Sequence, residues 1–384
     1  MKLNKSQERR LIHACAKGVK IDELARQFEV SPRTVDRIIT KHRAQGTVIT
    51  VKRGRPRKPL PTDRVVVERA EPDPAVVDEV VKELIRTPFP YPDRVSPDRV
   101  QRDVSKLRAL RMIVDKGGVI QPRDWTGIRM CSGFFPNRFE ATRKASISAR
   151  DAWDDECSLR RAVRFQLRHG DPVKPHRVLR AIALICRTPS IFKPSIAKFI
   201  CERYCFPGGR IWDPCAGFGG RLLGAHVAGV VYIATDVEPR TVDGNRALAE
   251  ALNANAEIHC ARAEDFSPSA MDLVFTSPPY FDRERYSSNE NQSWKQHGKN
   301  LETWIEGFLR PVAVKAFAAL RGGKHLVLNI ADIKEGNSRL PLVERTVAVA
   351  LESGFLHVET LLMPLAAISR IAPTEPILVF QKPT

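Results

Sequence analysis

The residues with the types and spacing to do chemistry lie between Gly209 and Tyr280. Asp213-Pro214-Cys215-Ala216-Gly217-Phe218-Gly219-Gly220 sits between the strand-like run Arg210-Ile211-Trp212 and the helical pattern Arg221 to His226. Strand, glycine-rich turn and helix make half of a βαβ unit. Its glycines let the backbone turn sharply and approach a ligand closely, and the following helix N-terminus presents free N–H groups. A second apolar run, Val230 to Thr235, ends in Asp236. A carboxylate at the tip of a second strand can accept hydrogen bonds from ribose hydroxyls. A third run, Glu257 to Ala261, ends near Glu264-Asp265, and a fourth, Met271 to Phe275, ends in Thr276-Ser277-Pro278-Pro279-Tyr280. Four strand ends are therefore expected side by side.

These residues carry a resemblance. Asp-Pro-Cys-Ala-Gly-Phe-Gly-Gly, an acidic second strand end and then Ser-Pro-Pro-Tyr resemble the S-adenosylmethionine-dependent amino-methyltransferases of DNA, which act on adenine N6 or cytosine N4. Phe192-Lys193-Pro194, followed by a helix from Ser195 to Glu202, resembles that family's element over the methionine end of the cofactor. Leu320 to Asp332 resembles its fifth strand. The likeness covers about half the chain, from Phe192 onward, and rests on order and spacing.

The resemblance implies S-adenosyl-L-methionine as cofactor, held by Phe192, Lys193, Asp213, Cys215, Ala216, Gly217, Gly219, Asp236, Glu264 and Asp265. It implies that Ser277 Oγ and the Pro278 carbonyl accept the two hydrogens of an exocyclic amine, on a backbone fixed by Pro278 and Pro279, while Tyr280 stacks on a base rotated out of the duplex. Such an amine is a poor nucleophile because its lone pair is delocalised into the ring, so the lone pair must be freed and aimed at the methyl group. No metal is called for. Serine at the head of Ser-Pro-Pro-Tyr leans by family habit toward cytosine N4. A Pro-Cys pair supplies the nucleophile in enzymes that methylate cytosine carbon 5, but Pro214-Cys215 follows the first strand rather than the fourth, and Cys215 reads as a small residue of the cofactor loop.

Elements upstream must bring the substrate. The net charge of +18 and pI near 9.8 favour a polyanionic partner. Residues 1–58 carry a net +11 and residues 101–180 a net +9, leaving the remainder near neutral. Counterion release from nucleic acid would draw on those two segments. Residues 6–43 read as three short helices, with Leu11, Ile12 and Cys15, then Ile21, Leu24, Ala25 and Phe28, then Val35, Ile38 and Ile39 as apolar faces. Val30-Ser31-Pro32 supplies the turn between the last two. The unit resembles a helix-turn-helix that presents Arg33, Thr34, Arg37 and Lys41 to DNA. Lys52 to Lys58 contains Arg53-Gly54-Arg55-Pro56, which resembles an AT-hook lying in a narrow minor groove.

The expected organisation is a helix-turn-helix domain at 1–45, a basic, proline-rich linker at 46–97, a helical and irregular region at 98–187, and an α/β Rossmann-like methyltransferase domain at 188–384. That last domain should hold a mostly parallel sheet with a C-terminal antiparallel hairpin. Within 98–187, helices are expected at Val100 to Asp115, Ser158 to Arg168 and Val178 to Cys186. The arginines and aromatics of Gly127 to Phe139 suit either a base-stacking loop or one packed on the catalytic domain. Phe281 to Asn300 reads as a mobile loop over the flipped base.

Eight cysteines without a C-x-x-C pair or a His cluster argue against zinc. With no signal-peptide pattern and no membrane-length apolar run, a cytoplasmic protein with free thiols is expected. The expected partner is double-stranded DNA; a restriction endonuclease partner is compatible with the sequence and not indicated by it. An RNA or protein amino-methyltransferase, or a non-catalytic regulator that kept the fold, are the competing readings.

Overall fold

The computed structural model describes residues 71–384, apart from 145, 170–172, 336–337 and 366–372, together with 7–8, 11, 14, 21–31, 34–35 and 37–39. The chain divides into two compact units, Met1–Arg69 and Ala70–Thr384. In the first, a helix at Ile21–Gln27 joins Leu11, Leu24, Ala25, Val35, Ile38 and Ile39 in one buried cluster. The Ser31 hydroxyl accepts from Thr34 N at 3.2 Å, satisfying one of the free donors at a helix start. Arg37 is exposed and Thr34 half-buried. Arg33, Lys41, Arg53, Gly54, Arg55 and Pro56 lie outside the described residues.

The second unit begins with helices. Helix α1 (Pro74–Ile85) starts at the Asp73 cap, whose carboxylate accepts from Ala75 N at 2.9 Å. Helix α2 (Pro97–Ala109) follows, then α3 (Glu156–Arg168), capped by Asp155, and α4 (Pro175–Ile185). Prolines at the first turns of α1, α2 and α4 lose no hydrogen bond there. α1, α3 and α4 close around the fully buried Trp153 as a small core of their own.

Helix α5 (Pro194–Tyr204) leads into the sheet, built from β1 (Arg210–Asp213), β2 (Val231–Asp236), β3 (Ala256–Cys260), β4 (Met271–Thr276), β5 (Leu320–Asn329), β6 (Leu356–Pro364) and β7 (Thr374–Gln381). Helices α6 (Gly220–Ala228), α7 (Pro239–Leu252), α8 (Arg310–Ala319) and α9 (Leu342–Glu352) lie between strands. The strand order is β6-β7-β5-β4-β1-β2-β3, parallel except for β7, which runs antiparallel to both neighbours. Every residue of β4 is buried, as a central strand covered on both faces requires. One face packs on α5, α6 and α7, the other on α8, α9 and Trp304. This is the Rossmann-like methyltransferase fold, with the expected terminal hairpin. Its strand order reverses between β1 and β4, and ligands of such sheets bind at the carboxyl ends beside that reversal.

The sequence boundary at 187/188 is not a seam. Val100, Val104, Leu107, Met130, Phe134 and Phe135 share one core with β1, β2 and α6. The helix expected to reach Asp115 stops at Ala109, because Leu110 turns extended and Ile113–Val114 pairs with Ile120–Gln121. The turn between them is set by the Asp115 carboxylate, which accepts from Gly117 N at 2.9 Å and Val119 N at 3.0 Å. Leu362 N donates to Gly118 O at 2.8 Å, tying this hairpin to β6. Gly127 to Phe139, read as irregular, forms a short helix at Ile128–Ser132 and a tighter turn at Pro136–Phe139. Its aromatics are packed rather than presented: Phe134, Phe135 and Phe139 are buried, and Phe135 meets Phe218 edge-on at 5.8 Å. A helical turn at Leu301–Trp304 passes through a π-turn at Ile305–Leu309 before α8.

Candidate active site

The carboxyl ends of β1, β2, β4 and β5 open into one cleft of about 690 Å³. Its walls include Phe192, Lys193, Cys215, Ala216, Gly217, Asp236 and Glu264, together with Ser277, Pro278, Pro279 and Tyr280. Folding thus brings together most of the residues singled out in the sequence, although Phe192 and Tyr280 lie far apart along the chain.

Three of those residues do not reach the cleft. Asp213 is fully buried beneath the loop and accepts from Arg221 Nε at 2.7 Å, Tyr232 OH at 2.6 Å, Thr276 Oγ1 at 2.8 Å and Cys215 N at 3.2 Å. With four donors converging on it, the carboxylate binds β1, β2, β4 and α6 together rather than touching a ligand. Gly219, at φ 75°, lies where a Cβ would strike Leu248 and Phe135, so its role is close packing at a left-handed turn. Asp265 points to solvent and pairs with Arg262 at 3.2 Å.

The loop itself is held from behind. Gly217 N donates to Asp236 Oδ2 at 3.0 Å, and Asn245 Nδ2 donates to Gly217 O at 2.7 Å. Asp236 also accepts from Glu238 N at 3.0 Å. Burial pushes its carboxyl up to about 6, and those two N–H groups oppose the shift. Burial, with Asp213 and Asp236 nearby, also holds the Cys215 thiol well above its ordinary range, so it stays protonated and is no nucleophile. Phe192 packs edge-on to Phe275 at 5.5 Å, with the Arg221 guanidinium 5.4 Å from its ring. Glu264 accepts from Arg262 at 2.9 Å and lies 3.3 Å from His297 Nε2. Lys193 is buried, donates to Pro364 O and sits 5.1 Å from the Trp125 ring. Burial lowers its ammonium to about 8, against the pull of Glu375.

At the Ser-Pro-Pro-Tyr end, polarity is set by a residue the sequence reading did not assign. Asn329, at the end of β5, donates from Nδ2 to Pro376 O at 3.0 Å, which turns its Oδ1 toward Ser277. Ser277 Oγ donates to that oxygen at 3.3 Å. The single hydroxyl proton is then spent, and Ser277 Oγ faces the cleft as an acceptor only. Tyr280 OH lies 3.4 Å from Asn329 Oδ1 and 3.5 Å from Glu375 Oε2. A polar residue closing an apolar strand was the signal available for Asn329; Glu375, on β7, had none.

No protein-family model and no curated protein matches the chain. Solved structures share the fold over about half of it. A methyltransferase from Pyrococcus furiosus is 16% identical over 50% of this chain and 83% of its own, with a TM-score of 0.36. A precorrin-6y C5,15-methyltransferase from Geobacter metallireducens is 14% identical over 49% and 87%, with a TM-score of 0.35. The cyclase SpnF is 13% identical over 50% and 81%, with a TM-score of 0.36. A fold does not fix a function, so the chemistry must be argued from the cleft.

The segment after Tyr280, read as a mobile loop, is tied into the unit. Glu284–Arg285 pairs with Thr142–Arg143, Asn289 Nδ2 donates to Val237 O at 2.7 Å, and the Gln292 side chain joins Tyr286 N to Ser287 O. It lines the cleft through Arg283, Glu284, Tyr286 and Trp294. Among the described residues, no helix is long and apolar enough to cross a membrane.

Proposed function

We propose that the protein transfers a methyl group from S-adenosyl-L-methionine to an exocyclic amine of a base in DNA. The observation that carries this reading is the single cleft that joins the Gly217 loop and Asp236 to Ser277–Tyr280. A volume of about 690 Å³ falls within the range of small-molecule and cofactor sites. The residues fit the cofactor: Asp236 offers a carboxylate to ribose hydroxyls, Gly217 keeps the loop free of a side chain, and Phe192 and Lys193 wall the far end. The cofactor supplies an electrophilic methyl on sulfur.

The chain's own residues prepare the amine. Ser277 Oγ, made an acceptor by Asn329, takes one amine hydrogen and the Pro278 carbonyl takes the other. Acceptors that draw the two hydrogens out of the ring plane favour a pyramidal nitrogen, whose lone pair is withdrawn from the ring and aimed at the methyl, and preorganised acceptors of this kind cost no reorganisation during reaction. Methylation leaves the nitrogen with an extra proton, which passes to solvent.

DNA is supported by the charge of residues 1–58 and by the helix-turn-helix-like and hook-like segments read there. The gaps after Tyr280 and Ile330 are short, so sequence reading is assigned to the upstream arm, Arg33, Thr34, Arg37 and Lys41 with Arg53 to Pro56. Serine at 277 favours cytosine N4 over adenine N6.

The test is to incubate the protein with labelled S-adenosylmethionine and A·T-rich duplex DNA, digest the DNA to nucleosides and identify the labelled one. N4-methylcytosine or N6-methyladenine is the expected result. Label appearing only in RNA or protein would overturn the DNA assignment, and absence of cofactor binding would overturn the enzyme reading in favour of a regulator. Deleting residues 1–62 should weaken DNA binding and relax site choice; unchanged affinity and site choice would refute the role of the arm.

A further inference from the structure

Many arginines of the second unit meet a carboxylate, among them Arg221 with Asp213 at 2.7 Å, Arg240 with Glu140 at 2.7 Å, Arg310 with Glu306 at 2.8 Å and Arg321 with Asp272 at 2.6 Å. Arg143, Arg180 and Arg283 line one cleft, and none has a side-chain hydrogen bond or ion pair among the described residues. Arg143 Nε is buried with no partner.

Their placement is built. Arg143 pairs in register with Glu284, and Lys144 N donates to Arg283 O at 3.1 Å, so a two-stranded ribbon holds Arg143 and Arg283 together directly after Tyr280. Arg180 projects from the exposed face of α4, one turn before the exposed Leu184, which lines the same cleft. Burial lowers the Arg143 guanidinium below its ordinary value and the positive charge of Arg283 lowers it further, against the opposing pull of Glu284 and Glu375. Two carboxylates share these walls. Glu284 is taken up by the Tyr286 hydroxyl, and Glu375 sits against Tyr280. Like charges gathered without partners destabilise a fold, and a guanidinium fork matches the oxygens of a phosphate.

We propose that Arg143, Arg180 and Arg283 bind the backbone phosphodiesters flanking the target nucleotide as its base enters the cleft. This rests on the reading above that the substrate is a nucleic-acid strand. It separates two tasks: the upstream arm finds the duplex, and the arginines hold the local strand.

The test uses the full chain with Arg53→Gln and Arg55→Gln as background, so that the basic arm does not mask the cleft. Binding of a labelled single-stranded hexanucleotide is followed by anisotropy as salt is raised. Arg180→Gln with Arg283→Gln should flatten the slope of log affinity against log salt by about 1.4, at about 0.7 per single-strand phosphate contact. Binding of S-adenosylhomocysteine should be kept, which reports an intact fold. Arg180→Gln alone, a change at an exposed position, should flatten the slope by about 0.7. An unchanged slope overturns the proposal. So does equal weakening of a mononucleotide and the hexanucleotide, which would assign the arginines to a free nucleotide's own phosphate. A flattened slope without methylation of any nucleic acid keeps the clamp and removes the methyl-transfer reading; methylation with an unchanged slope does the reverse.

Discussion

Acid should release the cofactor, and Asp236 sets the pH at which it does so. Ribose hydroxyls donate to a carboxylate, so binding needs Asp236 ionised. Its acid form is favoured by burial, which raises the titration to about 6. Affinity is therefore full above that value and falls as pH drops through it. From about pH 7 to about pH 5 the ionised fraction falls from roughly nine-tenths to roughly one-tenth, a tenfold loss of affinity or about 1.4 kcal/mol. The assay is calorimetric titration with S-adenosylhomocysteine, which carries the same ribose and no transferable methyl. Asp236→Asn keeps the shape and removes the charge. It should bind about tenfold or more weakly at neutral pH, since hydrogen bonds to a charged group are worth about 1.5–3 kcal/mol. Its affinity should no longer change across this range, which separates Asp236 from Glu375 and Lys193. A flat profile in the unaltered protein, or the same acid loss in Asp236→Asn, would refute the reasoning.

Four further outcomes are expected from the packing around the loop and from the Ser277 acceptor. Asp213→Ala should cost about 3–5 kcal/mol in denaturant unfolding, because it leaves the buried Arg221 guanidinium without its counter-charge. Gly224→Ala sets a Cβ 2.6 Å from Lys198 N and 2.8 Å from Pro194 O, both backbone, so α5 and α6 must separate and the midpoint of unfolding should fall by an amount worth about 1–3 kcal/mol. Ser277→Ala should lower kcat by about 10²–10³ with cofactor affinity unchanged, and Asn329→Ala should move kcat the same way; a fall in cofactor affinity instead would contradict the acceptor role.

Strands β1, β2 and β4 were legible because each is an apolar run closed by a turn or an acid, and β4 is apolar enough to declare itself central, whereas β5 was expected from the resemblance and β3 buries only Ile258. The glycine loop and Ser-Pro-Pro-Tyr were legible for the same reason: they close those runs. Their burial was not. Nothing local in Asp213 says that Arg221, Tyr232 and Thr276 converge on it, since those partners come from three other elements. Gly219 matched a ligand-binding pattern, yet its neighbour Leu248 lies on α7. The aromatics of 134–139 suit base stacking equally well by type alone, and only the fold sets Phe135 against Phe218. The helix expected to reach Asp115 stopped at Ala109 because the chain enters the hairpin that turns at Asp115-Lys116-Gly117-Gly118, a turn signal that the apolar spacing had obscured.

The hairpin tied to β6 has a consequence in time. Val119 bridges Leu362, and Leu362 N donates to Gly118 O. A ribosome adds about 5–20 residues per second, so on the order of 10–50 s separates the making of these two residues. Through that interval the hairpin of Ile113–Val114 and Ile120–Gln121 waits without the strand it is tied to, whereas Leu107, Met130, Phe134 and Phe135 share a core with β1, β2 and α6, which are made earlier. A hairpin made early in the second unit is thus fastened by a strand synthesised near its end, and it stays unfastened on the nascent chain until β6 emerges.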